Sequence, residues 1–446
     1  MLAFLEHRLG LFSWLRELGG TSRPPRQASF LQGLGFATLC VLALVIVTGI
    51  GLSFHYVPSA DHAYDSIRVL ERDVTGGALM RALHYQGTSV LVVLAFLDLC
   101  VWFFLGLYKR PREFAWIFGI ALFALIVGGA FTGYLLPWDQ NAWFATKVRL
   151  GILASAPELG PRIRDILQGG SELGSMSLGR FFTLHTMVVP LLIGLVVVMR
   201  GRVMRRHGMS PIGLRVDERA TLQGPFPSRT TWSKAFLGML AIAACFVIAD
   251  RWPAELEAIA DPADSNYQPR PEWYFFGPFE LLKFFKGGTE AIGAFWLPNA
   301  LLVVLVLLPF FDRNPERRLR KRPICLIAGA LFLVTIGTLT WKGSQDKPTH
   351  YKTPAHPLHA TAEMRLGYDL TRKEGCFSCH EWNAPDGIAY GHEDKDAPPM
   401  QDIEYDPEDL AELLLEPPEE MPAYPHLSES QRVAVGKYVE SLRSKD

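Results

Sequence analysis

Long apolar runs separated by short polar segments dominate the first three quarters of the chain. Most of these runs approach or exceed the ~20 residues that a helix needs to cross a bilayer. They cover residues 30–56, 77–108, 114–136, 180–199, 233–250, 291–311 and 323–341. The pattern predicts an all-α fold, a polytopic transmembrane helical bundle of about seven spans.

Composition agrees, because 49% of the 446 residues are hydrophobic and 12% are aromatic. The net charge is only −1, and no nucleic-acid partner is expected. The charged residues are nevertheless unevenly distributed along the chain. Arginine and lysine concentrate in four segments, at residues 8–26, 109–112, 202–215 and 313–322. All four fall on one side if every run spans once, and positive loops stay in the cytoplasm. We therefore predict a multi-pass protein of a bacterial inner membrane, with a cytoplasmic N-terminus and an extracytoplasmic C-terminus.

The segments outside the spans divide the chain further. Residues 1–29 mix charges with apolar residues at helical spacing, which predicts an amphipathic segment on the cytoplasmic membrane surface. Hydrophobicity falls after Trp341, so residues 343–360 are predicted to be a polar linker and 361–446 a small acidic extracytoplasmic domain. Long loops, which often carry function, are expected on the outer face at residues 57–76, 137–179 and 251–290.

Two histidines lie at similar predicted depth in the outer half of the membrane. His84 is about two turns into the second span, and His185 one to two turns into the fourth. Histidines on neighbouring helices at one level can clamp a haem iron between their imidazoles. The alternative is that each histidine only packs and makes hydrogen bonds.

Several motifs occur together in one order: RALHY at 81–85, GYLLPWDQNAWFATKV at 133–148, GRFFTLHTMVVP at 179–190 and PEWYFF at 271–276. They resemble the signatures of cytochrome b, the quinol-oxidising core of quinol–cytochrome c and plastoquinol–plastocyanin reductases. The resemblance covers about residues 10–342. It implies a four-helix haem-binding part at 30–230 and a three-helix part at 231–342, which the plastoquinol branch carries on two chains. It also implies a Rieske-type iron–sulfur partner and a homodimer.

The resemblance extends to residues around the haems. Glycines spaced by fourteen match positions where the backbone approaches a haem face, because glycine has no side chain to hold it away. These are Gly35 and Gly49 in the first span and Gly119 and Gly133 in the third. Arg81 and Arg180 match contacts to haem propionates. The alternative for both arginines is anchoring at the membrane interface.

The chain departs from the family at the inner haem. The family has a second histidine about fourteen residues after each first one, about 21 Å further along the helix. Here the matching positions hold Asp98 and, depending on a one-residue shift, Met199 or Arg200. We infer that the inner haem is absent. Asp98 then either pairs with Arg200 in the vacated site, or Arg200 extends to the cytoplasmic surface.

The tetrapeptide Pro-Glu-Trp-Tyr begins at Pro271 in a predicted outer loop. The family uses this motif, with the loop between the third and fourth spans, to line a quinol-oxidation site. Glu272 is then the acceptor for a quinol proton, suited to that role if burial raises its pKa. Tyr274 is expected to form hydrogen bonds in the same pocket.

The acidic C-terminal domain contains Cys376, Cys379 and His380 in the CxxCH pattern of covalent c-type haem attachment. A zinc half-site, a redox dithiol and coincidence are the alternatives, but haem attachment agrees with the predicted extracytoplasmic side. Residues 421–442 resemble the end of a class I cytochrome c, which implies Met421 as the second axial ligand. Met400 is the alternative ligand.

Together these predictions describe a cytochrome b–c fusion with one outer b haem and one c haem. Such a subunit exchanges electrons between quinol or quinone and extracytoplasmic redox carriers without a complete Q cycle. It would be the quinone-reactive subunit of a quinol–cytochrome c oxidoreductase-like complex, in contact with membrane lipid. The alternative is a membrane anchor and electron conduit for a periplasmic oxidoreductase, with a secondary or degenerate quinone site.

Overall fold

The computed structural model describes residues 8, 25–26, 28–218, 228–262, 267, 269–345, 361–374, 376–378, 380–384, 389–390, 397–418 and 421–443. Most of the segment 1–29 and of the linker 343–360 lies outside these residues, as does Cys379. The chain forms two compact units. The first comprises residues 1–137, 147–255 and 271–345, and the second comprises 138–146, 256–270 and 346–446. The domain boundaries inferred from sequence stay predictions.

Within the described residues, seven helices are long and apolar enough to cross a membrane. In chain order, the first to seventh spans are Phe30–Ser53, Gly77–Phe104, Glu113–Tyr134, Ser175–His207, Arg229–Arg251, Ile292–Phe311 and Pro323–Ser344. The bilayer core holds no water that could bind the backbone N–H and C=O groups. A helix can cross it because these groups form hydrogen bonds with one another. The predicted all-α bundle of about seven spans is confirmed.

The fourth span is longer than its apolar run, which covers only residues 180–199. Its first turns include two serines and a glycine, and its last turn carries Arg205, Arg206 and His207, so hydropathy alone does not detect these ends. A π-helical turn, Leu184–Val188, interrupts the span just before Pro190. Proline has no N–H to donate to the preceding turn, which accounts for the widened helix there.

Shorter elements complete the fold. Among the described residues, the α-helices outside the spans are Ala63–Asp73, Gln140–Ala154, Leu159–Gln168, Phe276–Leu282, Ala362–Lys373, Pro407–Leu413 and Glu429–Ser441. One two-stranded antiparallel pair joins Trp382–Asn383 to Ala389–Tyr390. A short 3₁₀ turn, Trp273–Phe275, precedes Phe276–Leu282 and contains part of the PEWYFF motif.

The core of the first unit lies between the first five spans. Val41, Leu91, Ile126 and Cys245 are among its buried residues, and Tyr274 packs against it from the loop between the fifth and sixth spans. Because lipid is as apolar as these side chains, close packing rather than burial from water holds the spans together.

The predicted basic segments meet at one end of the first unit. Arg112 donates to the His207 carbonyl over 2.6 Å, and Arg317 donates to the Arg215 carbonyl over 3.0 Å. Burial lowers the pKa of Arg112 to about 10. Arg8 pairs with Glu113 over 3.2 Å. This convergence agrees with a single basic face, whose cytoplasmic orientation stays a prediction.

A buried polar cluster lies at the same end, around Asp312. Lys109 Nζ is 2.6 Å from its Oδ2, and the Tyr108 hydroxyl donates to the same oxygen. Burial raises the pKa of the Asp312 carboxyl, but these two hydrogen bonds and the positive charges of Lys109 and Arg322 together outweigh it, so the net pKa is lowered. Arg322 donates to the Tyr108 hydroxyl over 2.6 Å, which ties the start of the seventh span to the end of the second.

The second unit has its own core around Tyr368, Phe377, Met400 and Tyr438. Its helices Ala362–Lys373 and Glu429–Ser441 cross closely at Gly367. A Cβ at this glycine would fall 1.9 Å from the Ala434 carbonyl oxygen, so only glycine permits the crossing. This small helical core agrees with the predicted helical C-terminal domain.

Candidate functional site

His84 and His185 face each other in the bundle. Their ring centroids are 5.9 Å apart, and the rings meet at 81°. Metal–imidazole bonds of about 2 Å on each side of an ion call for a comparable separation. The second and fourth spans therefore bring together the two histidines that were matched by predicted depth.

Both imidazoles are oriented in the same way by a neighbouring span. His84 Nδ1 lies 3.0 Å from the Val45 carbonyl oxygen, and His185 Nδ1 lies 3.0 Å from that of Gly129. A carbonyl oxygen can only accept, so Nδ1 carries the proton in each ring. Each Nε2 then presents a lone pair, the arrangement that metal-ligating histidines adopt.

A threonine accompanies each of these hydrogen bonds. Thr48 Oγ1 is 3.2 Å from His84 Nδ1, and Thr132 Oγ1 is 3.3 Å from His185 Nδ1. Each threonine lies three residues after the carbonyl that its histidine uses, on the same helical face. The first and third spans thus each contribute one carbonyl and one threonine to a histidine. Sequence reasoning missed this repetition.

Glycines leave space beside the two rings. A Cβ at Gly49 would lie 2.8 Å from His84 Cε1, and one at Gly133 would lie 2.5 Å from His185 Cε1. Both distances are shorter than an ordinary carbon–carbon contact of about 3.5–4.0 Å. Two oriented imidazoles beside side-chain-free backbone fit a haem with an iron ligand on each face.

Further along the same spans, Asp98 and Arg200 form an ion pair. Arg200 Nη2 donates to Asp98 Oδ2 over 2.6 Å, and the two side chains are 15% and 4% exposed respectively. The Arg200 guanidinium also lies 5.1 Å from the Trp102 ring centroid. Of the two arrangements considered from sequence, the structure has Arg200 paired rather than extended to the surface.

Gly35 and Gly119 face this ion pair. A Cβ at Gly35 would lie 3.2 Å from Asp98 Oδ1, and one at Gly119 would lie 3.4 Å from the Arg200 guanidinium. Two of the four glycines predicted beside haem are therefore next to Asp98 and Arg200, whereas Gly49 and Gly133 are next to the histidines.

Arg81 and Arg180, expected to contact haem propionates, both bind protein groups. Arg81 is buried, pairs with Glu71 and donates to the Ala254 and Glu255 carbonyls over 2.9 Å each. Arg180 is half-buried and donates to the Ile166 carbonyl. These contacts do not test a propionate contact, and the role of both arginines stays a prediction.

At the proposed quinone pocket, Glu272 accepts a hydrogen bond from Tyr85. The Tyr85 hydroxyl lies 2.6 Å from Glu272 Oε1, although 187 residues separate the two in the chain. Tyr85 directly follows His84, so one turn of the second span serves both sites. Sequence reasoning missed this tyrosine because nothing in its local pattern shows where it points.

Tyr274 lies two residues after Glu272, in the turn Trp273–Phe275, half-buried against the core. Burial, followed by the negative charge of Glu272, raises the pKa of its hydroxyl. Tyr274 therefore stays protonated and available as a hydrogen-bond donor at neutral pH. The catalytic roles of Glu272 and Tyr274 stay predictions.

Glu280 is a second carboxylate near the PEWY motif, and sequence reasoning missed it. It is 1% exposed in the helix Phe276–Leu282 and pairs with Lys283 and, over 3.3 Å, with Lys342. A buried charge needs such partners. The pairing fastens the end of the seventh span to the helix that follows the PEWY motif.

In the second unit, Cys376 begins a short 3₁₀ turn and His380 follows it. The backbone N–H of His380 donates to the Cys376 carbonyl over 3.0 Å. His380 Nδ1 is 2.7 Å from the Pro398 carbonyl oxygen, so this ring too presents its Nε2. Cys379, the second predicted thioether residue, lies outside the described residues.

Met400 and Met421 differ in burial. Met400 is 1% exposed and belongs to the core of the second unit, whereas Met421 is half-buried at the edge of that core. Met400 therefore has a packing role in this core, and the assignment of Met421 as the axial ligand stays a prediction.

Comparisons with known proteins agree with the bundle geometry. The model for cytochrome b/b6/petB matches residues 21–208, and that for the C-terminal part, cytochrome b(C-terminal)/b6/petD, matches residues 259–360. A chain of a structure described as a hyperthermophilic respiratory complex III is similar, with a TM-score of 0.64 and 26% identity. The match covers 78% of this chain and 92% of that chain.

Two relatives extend the comparison over most of their length. Cytochrome b of Rickettsia bellii is 30% identical over 360 residues, which are 79% of this chain and 88% of the relative. The cytochrome b subunit of a cytochrome bc complex from Chlorobaculum thiosulfatiphilum is 33% identical over 325 residues, which are 72% of this chain and 74% of that protein. The chain belongs to the cytochrome b family of multi-pass membrane proteins that transfer electrons in bc-type complexes.

Proposed function

We propose that this chain is a cytochrome b–c fusion subunit with one b haem and one c haem. It exchanges electrons between quinol or quinone, at a site on the outer face, and extracytoplasmic redox carriers. The observation that carries the proposal is a difference between two levels of the second and fourth spans. At one level these spans hold the oriented histidines His84 and His185, and at the next level they hold the ion pair of Asp98 and Arg200.

The b haem would be held by His84 and His185. Their Nδ1 protons are bound by backbone carbonyls, which leaves each Nε2 for iron. The c haem would be attached to Cys376 and Cys379, with His380 and Met421 as axial ligands. When bound, these haems supply two one-electron carriers, one in the outer half of the membrane and one outside it.

At the quinone pocket, side chains of this protein accept the quinol proton and donate a hydrogen bond to the quinone. Glu272 is the acceptor for a quinol hydroxyl proton, and the Tyr85 hydroxyl holds one of its oxygens in place. Tyr274, protonated at neutral pH, donates to a quinone oxygen. Asp98 stands where the family has one ligand of the inner haem, and Met199 or Arg200 stands where it has the other, so the proposal contains no complete Q cycle.

The proposed setting is a bacterial inner membrane, with the basic end of the bundle in the cytoplasm and the c-type domain outside. The partners are a Rieske-type iron–sulfur protein or another periplasmic redox subunit, and a second copy of this chain. Support comes from the four basic segments that meet at one end of the first unit.

Counting haems in the purified full-length protein tests the proposal. The pyridine haemochrome spectrum should show one b haem and one c haem per chain. His84→Ala should remove the b haem and leave the c haem, because one imidazole cannot hold the iron from both faces. His55→Ala is the matched control, since this exposed histidine lies at the outer end of the first span. Two b haems would refute the proposal.

Glu272→Gln separates catalysis from the alternative of a membrane anchor and electron conduit. Loss of a general base typically costs about 10²–10⁴-fold in rate, so quinol turnover should fall by at least about 100-fold. Reduction of the c haem by a chemical reductant should be unchanged. Glu290→Gln, at an exposed carboxylate before the sixth span, is the control. Unchanged quinol turnover in Glu272→Gln would favour the conduit.

A further inference from the structure

Arg149, on the helix Gln140–Ala154, has a guanidinium without an acceptor. The residue is 9% exposed, and both Nη1 and Nη2 are buried without a hydrogen-bond partner. Among the described arginines, it alone has both terminal nitrogens in this state. A buried donor left unpaired costs about 1–3 kcal/mol, and more when it is charged.

The surroundings of this guanidinium are aromatic. Its central carbon lies 4.0 Å from the Tyr134 ring centroid and 5.6 Å from that of Phe275. Ring stacking stabilises the charge in part, but the ring faces do not provide oxygen acceptors for the N–H groups. The missing partner is therefore an oxygen that the described residues do not supply.

The position of Arg149 indicates what brings that oxygen. Tyr134 belongs to the tract GYLLPWDQ and Phe275 to PEWYFF, the two segments of the proposed quinone pocket. Tyr274, between Glu272 and Phe275, is close enough for the positive charge of Arg149 to act on its hydroxyl. A ligand that stacks on these rings and carries oxygen atoms fits a quinone.

We propose that Arg149 is a quinone-binding residue whose guanidinium binds a ring oxygen and selects for negative charge on it. This inference rests on the proposed quinone pocket. Arginine presents a planar fork of charged N–H donors, and opposite charge on the acceptor adds a Coulomb attraction to the hydrogen bonds, so an anionic oxygen binds more strongly than a neutral one. The preferred ligand class is an ionised quinol or an acidic hydroxyquinone, rather than a neutral quinone.

Binding of two matched probes to the full-length protein tests this. The first is a 2-hydroxy-1,4-naphthoquinone with an apolar 3-alkyl chain, which is an anion at neutral pH. The second is its 2-methyl ether, which is neutral and nearly the same shape. Affinities are measured by titration of intrinsic tryptophan fluorescence. The wild-type protein should bind the anion about tenfold more tightly than the ether, a difference of about 1.4 kcal/mol.

Three variants define the role of the charge. Arg149→Leu and Arg149→Gln should bind the ether as the wild type does and lose the preference for the anion, because both lack the charge. Arg149→Lys should keep part of the preference. Arg164→Leu, at an exposed residue of the next helix that pairs with Asp165, is the control and should keep all of it.

The outcomes distinguish a failure of the proposed role of Arg149 from a failure of the proposed quinone pocket. An anion preference that persists in both Arg149→Leu and Arg149→Gln, with unchanged binding of the ether, overturns the role of Arg149 and leaves the quinone pocket intact. Failure of the wild-type protein to bind either probe overturns the proposed pocket, and the inference with it.

Discussion

Arg200 Nη2 donates to Asp98 Oδ2 over 2.6 Å, which joins the fourth span to the second by a nearly buried ion pair. Removal of one partner from such a pair leaves an unpaired charge and costs about 3–5 kcal/mol. Replacement of both partners by neutral side chains is far less costly, because no charge then remains buried.

Asp98→Asn and Arg200→Met should each lower the free energy of unfolding of the detergent-solubilised protein by about 3 kcal/mol or more. The double variant should lose clearly less than the sum of the two. Thermal unfolding of the four proteins gives the coupling energy. The exposed pair of Asp250 and Arg251, 4.0 Å apart, should show almost no coupling in the same cycle. Additive losses at Asp98 and Arg200 would contradict the predicted coupling.

Gly133→Ala should weaken haem binding, because its Cβ would lie 2.5 Å from His185 Cε1 and push the imidazole from its position. The measurement is the b-haem content after purification, with the proposed c haem of the same chain as the internal standard. Gly128→Ala is the matched control on the same span, since no atom lies within 4 Å of its added Cβ. Equal b-haem content in the two variants would show that space beside His185 is not needed.

Met421→Leu should remove the far-red charge-transfer band of methionine-ligated ferric haem and lower the reduction potential of the c haem. Met400→Leu should keep both properties and change stability by less than about 1.5 kcal/mol, because the swap conserves volume in the core. Absorption spectra and redox titration of both variants are the measurements. The opposite result would make Met400 the axial ligand.

Asp312→Asn should destabilise the protein in a pH-dependent way. The folded-state pKa of Asp312 is lowered, so the ionised carboxyl contributes stability above its unfolded-state pKa of about 3.9. That contribution is lost as pH falls through the lower folded-state value. The difference in unfolding temperature between wild type and variant should therefore be largest near pH 7 and shrink on acidification. A difference in unfolding temperature that stays constant between pH 7 and acidic pH would contradict this prediction.

The spans could be predicted from hydropathy because their apolar runs are long, whereas the ends of the fourth span could not, since serine and glycine in its first turns and basic residues in its last turn interrupt the apolar pattern. The pair of His84 and His185 could be predicted from sequence, because depth in a membrane follows from position along a helix. The choice between a paired and an extended Arg200 was open, because a long side chain near a span end permits both. The contact of Tyr85 with Glu272 joins distant segments and leaves no local pattern.

The pairing of Asp98 with Arg200 has an electrical consequence. Movement of one elementary charge across a membrane potential of 100 mV changes the free energy by about 2.3 kcal/mol. On the proposed one-haem path, electrons stay in the outer half of the membrane, and the inner half holds two charges that sum to zero. Turnover in proteoliposomes should therefore run at the same rate whether or not a potential is imposed. The protein would release the energy of quinol oxidation to its extracytoplasmic partners without charging the membrane.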